Sequence, residues 1–134
     1  MIQVNVKCPK CGHSLMEKGH KIDGKPAIMV KFSYAAKKGS AYLSSLYGSY
    51  NSELPFAIPE HKVAGFRCPH CDADLKTDRK CDVCGSHMVA LDLTQGGNVQ
   101  FCSRKGCRKH LLEFSDFDTE LEAFYKAYAH QLDA

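Results

Sequence analysis

Four pairs of cysteines constrain this chain more than anything else in it: Cys8 and Cys11, Cys68 and Cys71, Cys81 and Cys84, Cys102 and Cys107. A Cys-x-x-Cys turn brings two sulfurs within reach of one ion, and a second pair delivered by a hairpin completes a tetrahedral four-thiolate site. Between Cys84 and Cys102 the chain reads as such a hairpin. Met88–Leu93 alternates, with Val89, Leu91 and Leu93 on one face, Thr94-Gln95-Gly96-Gly97-Asn98 supplies the turn, and Val99 and Phe101 resume the alternation. Eight cysteines therefore read as two complete metal sites, with all eight as ligands.

Two pairings fit the spacing. The sequential one joins Cys8, Cys11, Cys68 and Cys71 at one ion and Cys81, Cys84, Cys102 and Cys107 at the other. The nested one joins Cys68, Cys71, Cys81 and Cys84 across the short link, leaving Cys8, Cys11, Cys102 and Cys107 outside. The 88–101 hairpin, leading straight between its own knuckles, favours the first. Four-thiolate sites suit Zn²⁺ or iron, and geometry alone does not separate them. Two Zn²⁺ are expected, with iron as the alternative. His13, His70, His87 and His110 all lie near a cysteine, and Cys107-x-x-His110 has ligand spacing. With both sites already complete, these histidines read as exposed or outer groups.

Composition bears on compartment and partner. No run of 18 apolar residues is present, and the N-terminus has no signal-peptide core, so a cytoplasmic location is expected, where thiols bind metal rather than form disulfides. The formal charge of +3 falls to about −1 once eight thiolates hold two divalent ions. The charge is unevenly spread. Residues 1–50 carry eight lysines against Glu17 and Asp23, while residues 51–134 carry ten basic against thirteen acidic side chains.

Along the chain, Ile2, Val4 and Val6 alternate into Cys8-Pro9-Lys10-Cys11-Gly12, where Pro9 presets the turn and Gly12 takes the left-handed conformation after the second cysteine. Lys21–Pro26 is a turn around Asp23-Gly24, and Ala27–Tyr34 is a strand. Ala35–Ser40 reads as a loop, Ala41–Tyr50 as a helical face or an irregular strand, and Asn51–Glu60 as an extended connection. Lys62–Arg67 leads into the second knuckle, and Asp72–Lys80 reads as a polar link. Asp116–Leu132 is the clearest helix, with Thr119-x-x-Glu122 as a capping box and Leu121, Phe124, Tyr125, Tyr128 and Leu132 on one stripe. The fold class expected is small, metal-bound and β-rich (α+β): two ribbons plus a C-terminal amphipathic helix. Residues 1–75 form the first ribbon, with a long insertion at 12–67, and 76–134 the second ribbon and helix, the two packed as one unit.

The segment Cys81–Cys107, with Cys-Asp-Val-Cys-Gly, its hairpin and Phe-Cys-Ser before the last cysteine, resembles the C-terminal zinc fingers of type IA topoisomerases. The Cys8 and Cys68 knuckles resemble the wider zinc-ribbon and rubredoxin group. The first resemblance implies single-stranded DNA bound on the ribbon surface.

Three functions are compatible with these features. The favoured one is a non-enzymatic adaptor that binds a protein partner through the C-terminal stripe, since no nucleophile–base pair, carboxylate pair or phosphate loop is evident, and neither is a small-molecule substrate. A nucleic-acid binder is the alternative, using Arg104, Lys105, Arg108 and Lys109 around the last knuckle, with Lys37 and Lys38 among the tyrosines of 34–50. Those tyrosines serve equally as core. A rubredoxin-like iron electron carrier is the third. None of the three involves a membrane.

Overall fold

The computed structural model describes residues 2–94, 96–107 and 109–113, the last four of these as backbone. Ten strands make two antiparallel five-stranded sheets, and no helix occurs among the described residues. In chain order they are β1 (Val6–Lys7), β2 (Met16–Ile22), β3 (Lys25–Tyr34), β4 (Lys37–Leu43), β5 (Ser52–Glu53), β6 (Gly65–Arg67), β7 (Lys76–Lys80), β8 (His87–Leu93), β9 (Asn98–Cys102) and β10 (His110–Glu113).

The first sheet runs β2-β3-β4-β5 with β6 also on β3; the second runs β1-β8-β9-β10 with β7 also on β8. The two halves have exchanged their leading strands. β1, which enters the first knuckle, pairs with β8 through Val6–Leu93, and β6, which enters the second, pairs with β3 through Phe32–Phe66. Counted by repeat, 2–60 and 61–113 thus each contribute a leading strand to the other's sheet, whereas of residues 1–75 only β1 joins the second sheet.

This exchange is one aspect of an approximate twofold repeat. Leu15 N–H donates to Val6 C=O and Met29 N–H to Leu15 C=O; Leu75 N–H donates to Phe66 C=O and Ala90 N–H to Leu75 C=O. Ser45 Oγ donates to Pro26 C=O, as Ser103 Oγ does to His87 C=O, both at 2.7 Å. Val4 N–H meets Ser45 C=O, and Ala64 N–H meets Ser103 C=O. Ser45 and Ser103 are buried because each hydroxyl has its acceptor inside the fold.

The inward faces of both sheets form one core. Ile28, Val30 and Phe32 on β3 and Val89, Leu91 and Leu93 on β8 are buried by period-2 alternation, as the hairpin pattern predicts for 89–93. Leu15 and Leu75 are buried on the chain leaving each knuckle, and Phe66 packs edge-on against Phe32 and Phe101.

Several expectations are corrected. Ala35–Ser40 is not a loop: a two-residue turn at Ala35-Ala36, with Ala35 at φ 54°, starts β4 at Lys37. The full β3–β4 register, Ile28–Leu43 to Tyr34–Lys37, draws the Lys-Lys-Gly stretch into the sheet. Ala41–Tyr50 contains no helix, because Ala41–Leu43 completes β4 and the rest loops back to β5. The supposed link 72–80 contains β7, held to β8 through Lys76–Val89 and Lys80–His87. The Asp23-Gly24 turn is as read, with φ 57° and 76°, and it joins β3 to a strand, Met16–Ile22, that the sequence did not reveal. The expected helix 116–132 lies outside the described residues.

Candidate metal centres

The two Cys-Pro-x-Cys knuckles face each other between the sheets. In the first, Gly12 N–H donates to Cys8 C=O and Cys8 N–H to His13 C=O; in the second, Asp72 N–H donates to Cys68 C=O and Cys68 N–H to Ala73 C=O. Gly12 and Asp72 both sit at positive φ, 76° and 62°. The turn aims amides at the leading sulfur: Lys10 and Cys11 N–H lie 3.3 and 3.5 Å from Cys8 Sγ, His70 and Cys71 N–H 3.3 and 3.4 Å from Cys68 Sγ. Such donors stabilise a thiolate.

Across the site, Cys8 Sγ is 3.7 Å from Cys71 Sγ, and Cys11 Sγ is 3.7 Å from Cys68 Sγ. All four sulfurs lie within 4.8 Å of one another. A tetrahedron with metal–sulfur bonds of about 2.3 Å has edges of roughly 3.8 Å, so the spacing matches a four-thiolate site. A disulfide would need about 2.05 Å, and all eight cysteines are free. His13 Nδ1 lies 3.3 Å from Cys11 Sγ, and the His13 and His70 rings stack at 4.6 Å.

The second site is built on the other end of the second sheet. Cys81 and Cys84 form the β7–β8 turn, where Gly85 N–H closes on Cys81 C=O at φ 79°. Cys102 ends β9, and Cys107 follows in the β9–β10 loop. Cys81 Sγ is 3.7 Å from Cys107 Sγ and Cys84 Sγ 3.3 Å from Cys102 Sγ, again with all four within 4.8 Å. The grouping is therefore sequential. Each group could hold one metal ion.

The thiol acidities show what so close a set of sulfurs demands. Burial works against ionising Cys68, but the Cys71 and His70 amides and the thiols of Cys8 and Cys71 outweigh it, lowering the group to about 7. At Cys84 the Ser86 amide leads, with Cys102 and Cys107 helping, and the value falls to about 6. Cys102 and Cys107 are pushed up, first by burial. At Cys11 the His13 amide pulls down, but burial and the neighbouring thiols carry it to about 12. In each group one thiol is lowered (Cys68, Cys84) while two are raised (Cys11 and Cys71, Cys102 and Cys107), so ionising the whole set calls for a cation in the middle.

The twofold repeat exposes a third cluster. Opposite the second site, at the matching end of the first sheet, Asp23 accepts hydrogen bonds from Ser44 Oγ at 2.6 Å, Ser49 Oγ at 2.7 Å and Asn51 Nδ2 at 2.7 Å. Ser44 and Cys102 are equivalent: their N–H groups donate to Asn51 C=O and Lys109 C=O. A carboxylate with three donors ties the loop in one half where four sulfurs gather in the other. The sequence reading missed this cluster, although aligning Cys8–Leu15 with Cys68–Leu75 would have disclosed the repeat.

The basic residues singled out earlier are mostly engaged within the chain. Arg104 Nε donates to His61 C=O at 3.2 Å, and Lys105 Nζ to Ile58 C=O at 2.8 Å, with Glu60 at 3.7 Å. Lys109 pairs with Asp82 at 3.3 Å, and Lys37 lies over the Phe56 ring at 5.8 Å. Lys38 is exposed. Arg108 and the stripe Leu121, Phe124, Tyr125, Tyr128 and Leu132 lie outside the described residues, as does the His110 side chain. His87 Nδ1 donates to Thr77 C=O at 2.8 Å, away from the sulfurs. Of the tyrosines, Tyr34 and Tyr47 pack against the core, Tyr42 stacks on His20 at 3.9 Å, and Tyr50 is 43% exposed.

Lys38, named from the sequence, belongs to a further set of cations that the tertiary structure assembles. On the outward face of the first sheet Lys31 stands beside Arg67, and Ser33 beside Lys38. Asp72 contacts Lys31 at 3.1 Å, and its carboxyl is held below the usual range by Lys31 first and then by Arg67 and Lys38. All three cations act on this one carboxylate, and Asp74 stands across a β-bridge from Arg67. Alternation along β3, which the sequence reads as the strand Ala27–Tyr34, and pairing with β6, which it does not reveal, create this group.

No curated protein and no solved structure matches the chain. A family model described as "tRNA synthetases class I (M)" matches residues 17–133, and it names no zinc-ribbon family. That match takes in nearly the whole double-sheet unit with six of its eight metal-site cysteines, and the chain belongs to the class I tRNA synthetase (M) family.

Proposed function

We propose that the chain is an RNA-binding module held together by two structural Zn²⁺ ions, with tRNA as the class of partner. The carrying observation is the outward face of the first sheet, where Lys31, Arg67 and Lys38 surround the carboxylate of Asp72, with Asp74 across a β-bridge from Arg67. Like charges directly across a sheet repel. An anion that supplies further negative charge relieves them, and a phosphate backbone does so along its length. Tyr42, stacked on His20 and beside Met29 on the same face, offers an aromatic surface for an unpaired base. Lys18, Lys21 and Lys25 add exposed charge on the adjoining β2–β3 hairpin. The family to which the chain belongs supports tRNA over DNA.

Zinc fits the sulfur-only donor sets and their tetrahedral spacing. A site closed by four thiolates leaves no open position for water or substrate, so the metals' role in this reading is to hold the fold, and the module itself is non-enzymatic.

Binding of labelled unmodified tRNA, followed by anisotropy over a salt series, tests the reading. Affinity should fall steeply with salt, and the triple variant Lys31→Ala, Lys38→Ala, Arg67→Ala should lower the slope by about 2–3. Absence of salt-dependent binding at low ionic strength, or a triple variant with an unchanged slope, rejects it.

A further inference from the structure

We propose that Cys11 and Cys71 form an oxidation site: a peroxide joins them in a disulfide, and the centre between the sheets gives up its ion while the second centre keeps its own. The inference rests on the zinc reading above and is independent of RNA binding.

Access separates the eight sulfurs. In the shared centre the leading cysteine of each knuckle, Cys8 and Cys68, is buried, and the trailing one, Cys11 and Cys71, is exposed. In the second centre no cysteine is exposed: Cys81 and Cys102 are buried, and Cys84 and Cys107 are half-buried. Around a bound cation every ligating sulfur is a thiolate, so reach to the oxidant, rather than acidity, sets the order of attack.

The twofold repeat makes the two exposed sulfurs neighbours. Each trails its own knuckle, and the two Sγ atoms lie within 4.8 Å of each other across the seam. A disulfide between them requires a closing of no more than about 3 Å. The exposed His13 and His70 rings, stacked at 4.6 Å, lie on the same seam, with His13 Nδ1 3.3 Å from Cys11 Sγ. The sulfurs of Cys8 and Cys68 are instead tied inward by the amides of Lys10 and Cys11 and of His70 and Cys71.

The chemistry needs only hydrogen peroxide as oxidant. One exposed thiolate attacks a peroxide oxygen, the O–O bond breaks, and a sulfenic acid forms as hydroxide leaves. The other thiolate attacks that sulfur, the S–S bond forms, and the S–O bond breaks to release a second hydroxide. Each sulfur gives up one electron and the peroxide takes both. Cys8 and Cys68 alone then make an incomplete site. β1 enters this centre and pairs with β8, and β6 enters it and pairs with β3, so its loss loosens the joint between the two sheets.

Full-length protein whose zinc has been counted by elemental analysis provides the test. It is titrated with hydrogen peroxide, zinc release is followed with a weak colorimetric chelator, and the cysteines are then mapped by mass spectrometry. Half of the zinc should leave first, with a Cys11–Cys71 disulfide and with Cys81, Cys84, Cys102 and Cys107 still reduced. Dithiothreitol and added zinc should restore the starting material. Earlier oxidation of the second centre, loss of both ions together, a disulfide within one knuckle, or retention of both ions at millimolar peroxide overturns the proposal. Protein that carries no metal at the outset overturns the zinc reading as well, so the two failures are distinct.

Discussion

Ser49 and Cys107 stand at the same place in the two halves of the chain. Each backbone N–H donates to the carbonyl three residues earlier, Leu46 at 2.9 Å and Arg104 at 3.2 Å, with Gly48 and Gly106 between them at φ 93° and 90°. One side chain is a hydroxyl donating to Asp23, the other a sulfur 3.7 Å from Cys81. The same loop geometry is thus fastened by a carboxylate in one half and by a candidate metal centre in the other. The predictions below follow from that asymmetry and from the shared site on the axis.

The two sites should differ in what they hold. Elemental analysis is expected to find two zinc ions per chain. Cys8→Ser or Cys68→Ser removes the site between the sheets and should unfold the whole domain. Cys81→Ser or Cys102→Ser should lose one ion and loosen mainly the β7–β10 end. Binding free energies of about 10–16 kcal/mol for structural zinc exceed or match a stability of about 5–15 kcal/mol, so a strong chelator should abolish the sheet signal in circular dichroism. A metal-free chain with an intact melting transition contradicts all of this.

Leu15 and Leu75 are each 2% exposed and stand at equivalent positions behind the knuckles. Truncation to alanine should cost about 2–5 kcal/mol in either case. Denaturant unfolding should give similar losses for the two variants; a loss confined to one would mean that the repeat is not energetically shared.

Asp23 supplies a pH test. Its carboxyl is held below the usual carboxylate range by Ser44 first, then Ser49 and Asn51. A depressed pKa in the folded state stabilises the fold above the ordinary carboxylate pKa, and that contribution disappears as pH falls through the folded value. Wild type should therefore melt above Asp23→Ala at neutral pH, and the gap should close on acidification below about pH 4. A gap that is constant with pH would assign the effect to packing.

Gly39 has no room for a side chain, since an added Cβ would lie 2.5 Å from Pro55 Cβ. Gly39→Ala should destabilise by about 1–3 kcal/mol. Adding Pro55→Gly should recover part of the loss in the same thermal melt. No recovery would place the strain elsewhere.

Ligand chemistry and local turns were legible in the chain because they depend on neighbours in sequence. The Cys-x-x-Cys spacing, the turns at Gly12 and Asp23-Gly24, and the 88–101 alternation all act within a few residues. β2 and β7 were not legible, because Met16–Ile22 and Lys76–Lys80 are polar stretches with at most one buried residue each, and they become strands only by pairing with β3 and β8. Likewise, Lys37-Lys38-Gly39 reads as a loop until β3 offers it a register.

The amino-acid order by itself determined that eight thiols are set in pairs at metal-binding spacing and that their turns form locally. Only the tertiary structure decided which pairs meet, that β1 and β6 exchange sheets, and that Lys31, Arg67 and Lys38 gather around Asp72. Those outcomes depend on cross-strand partners far apart in the chain, and period-2 alternation says which face a residue occupies without saying which strand lies beside it.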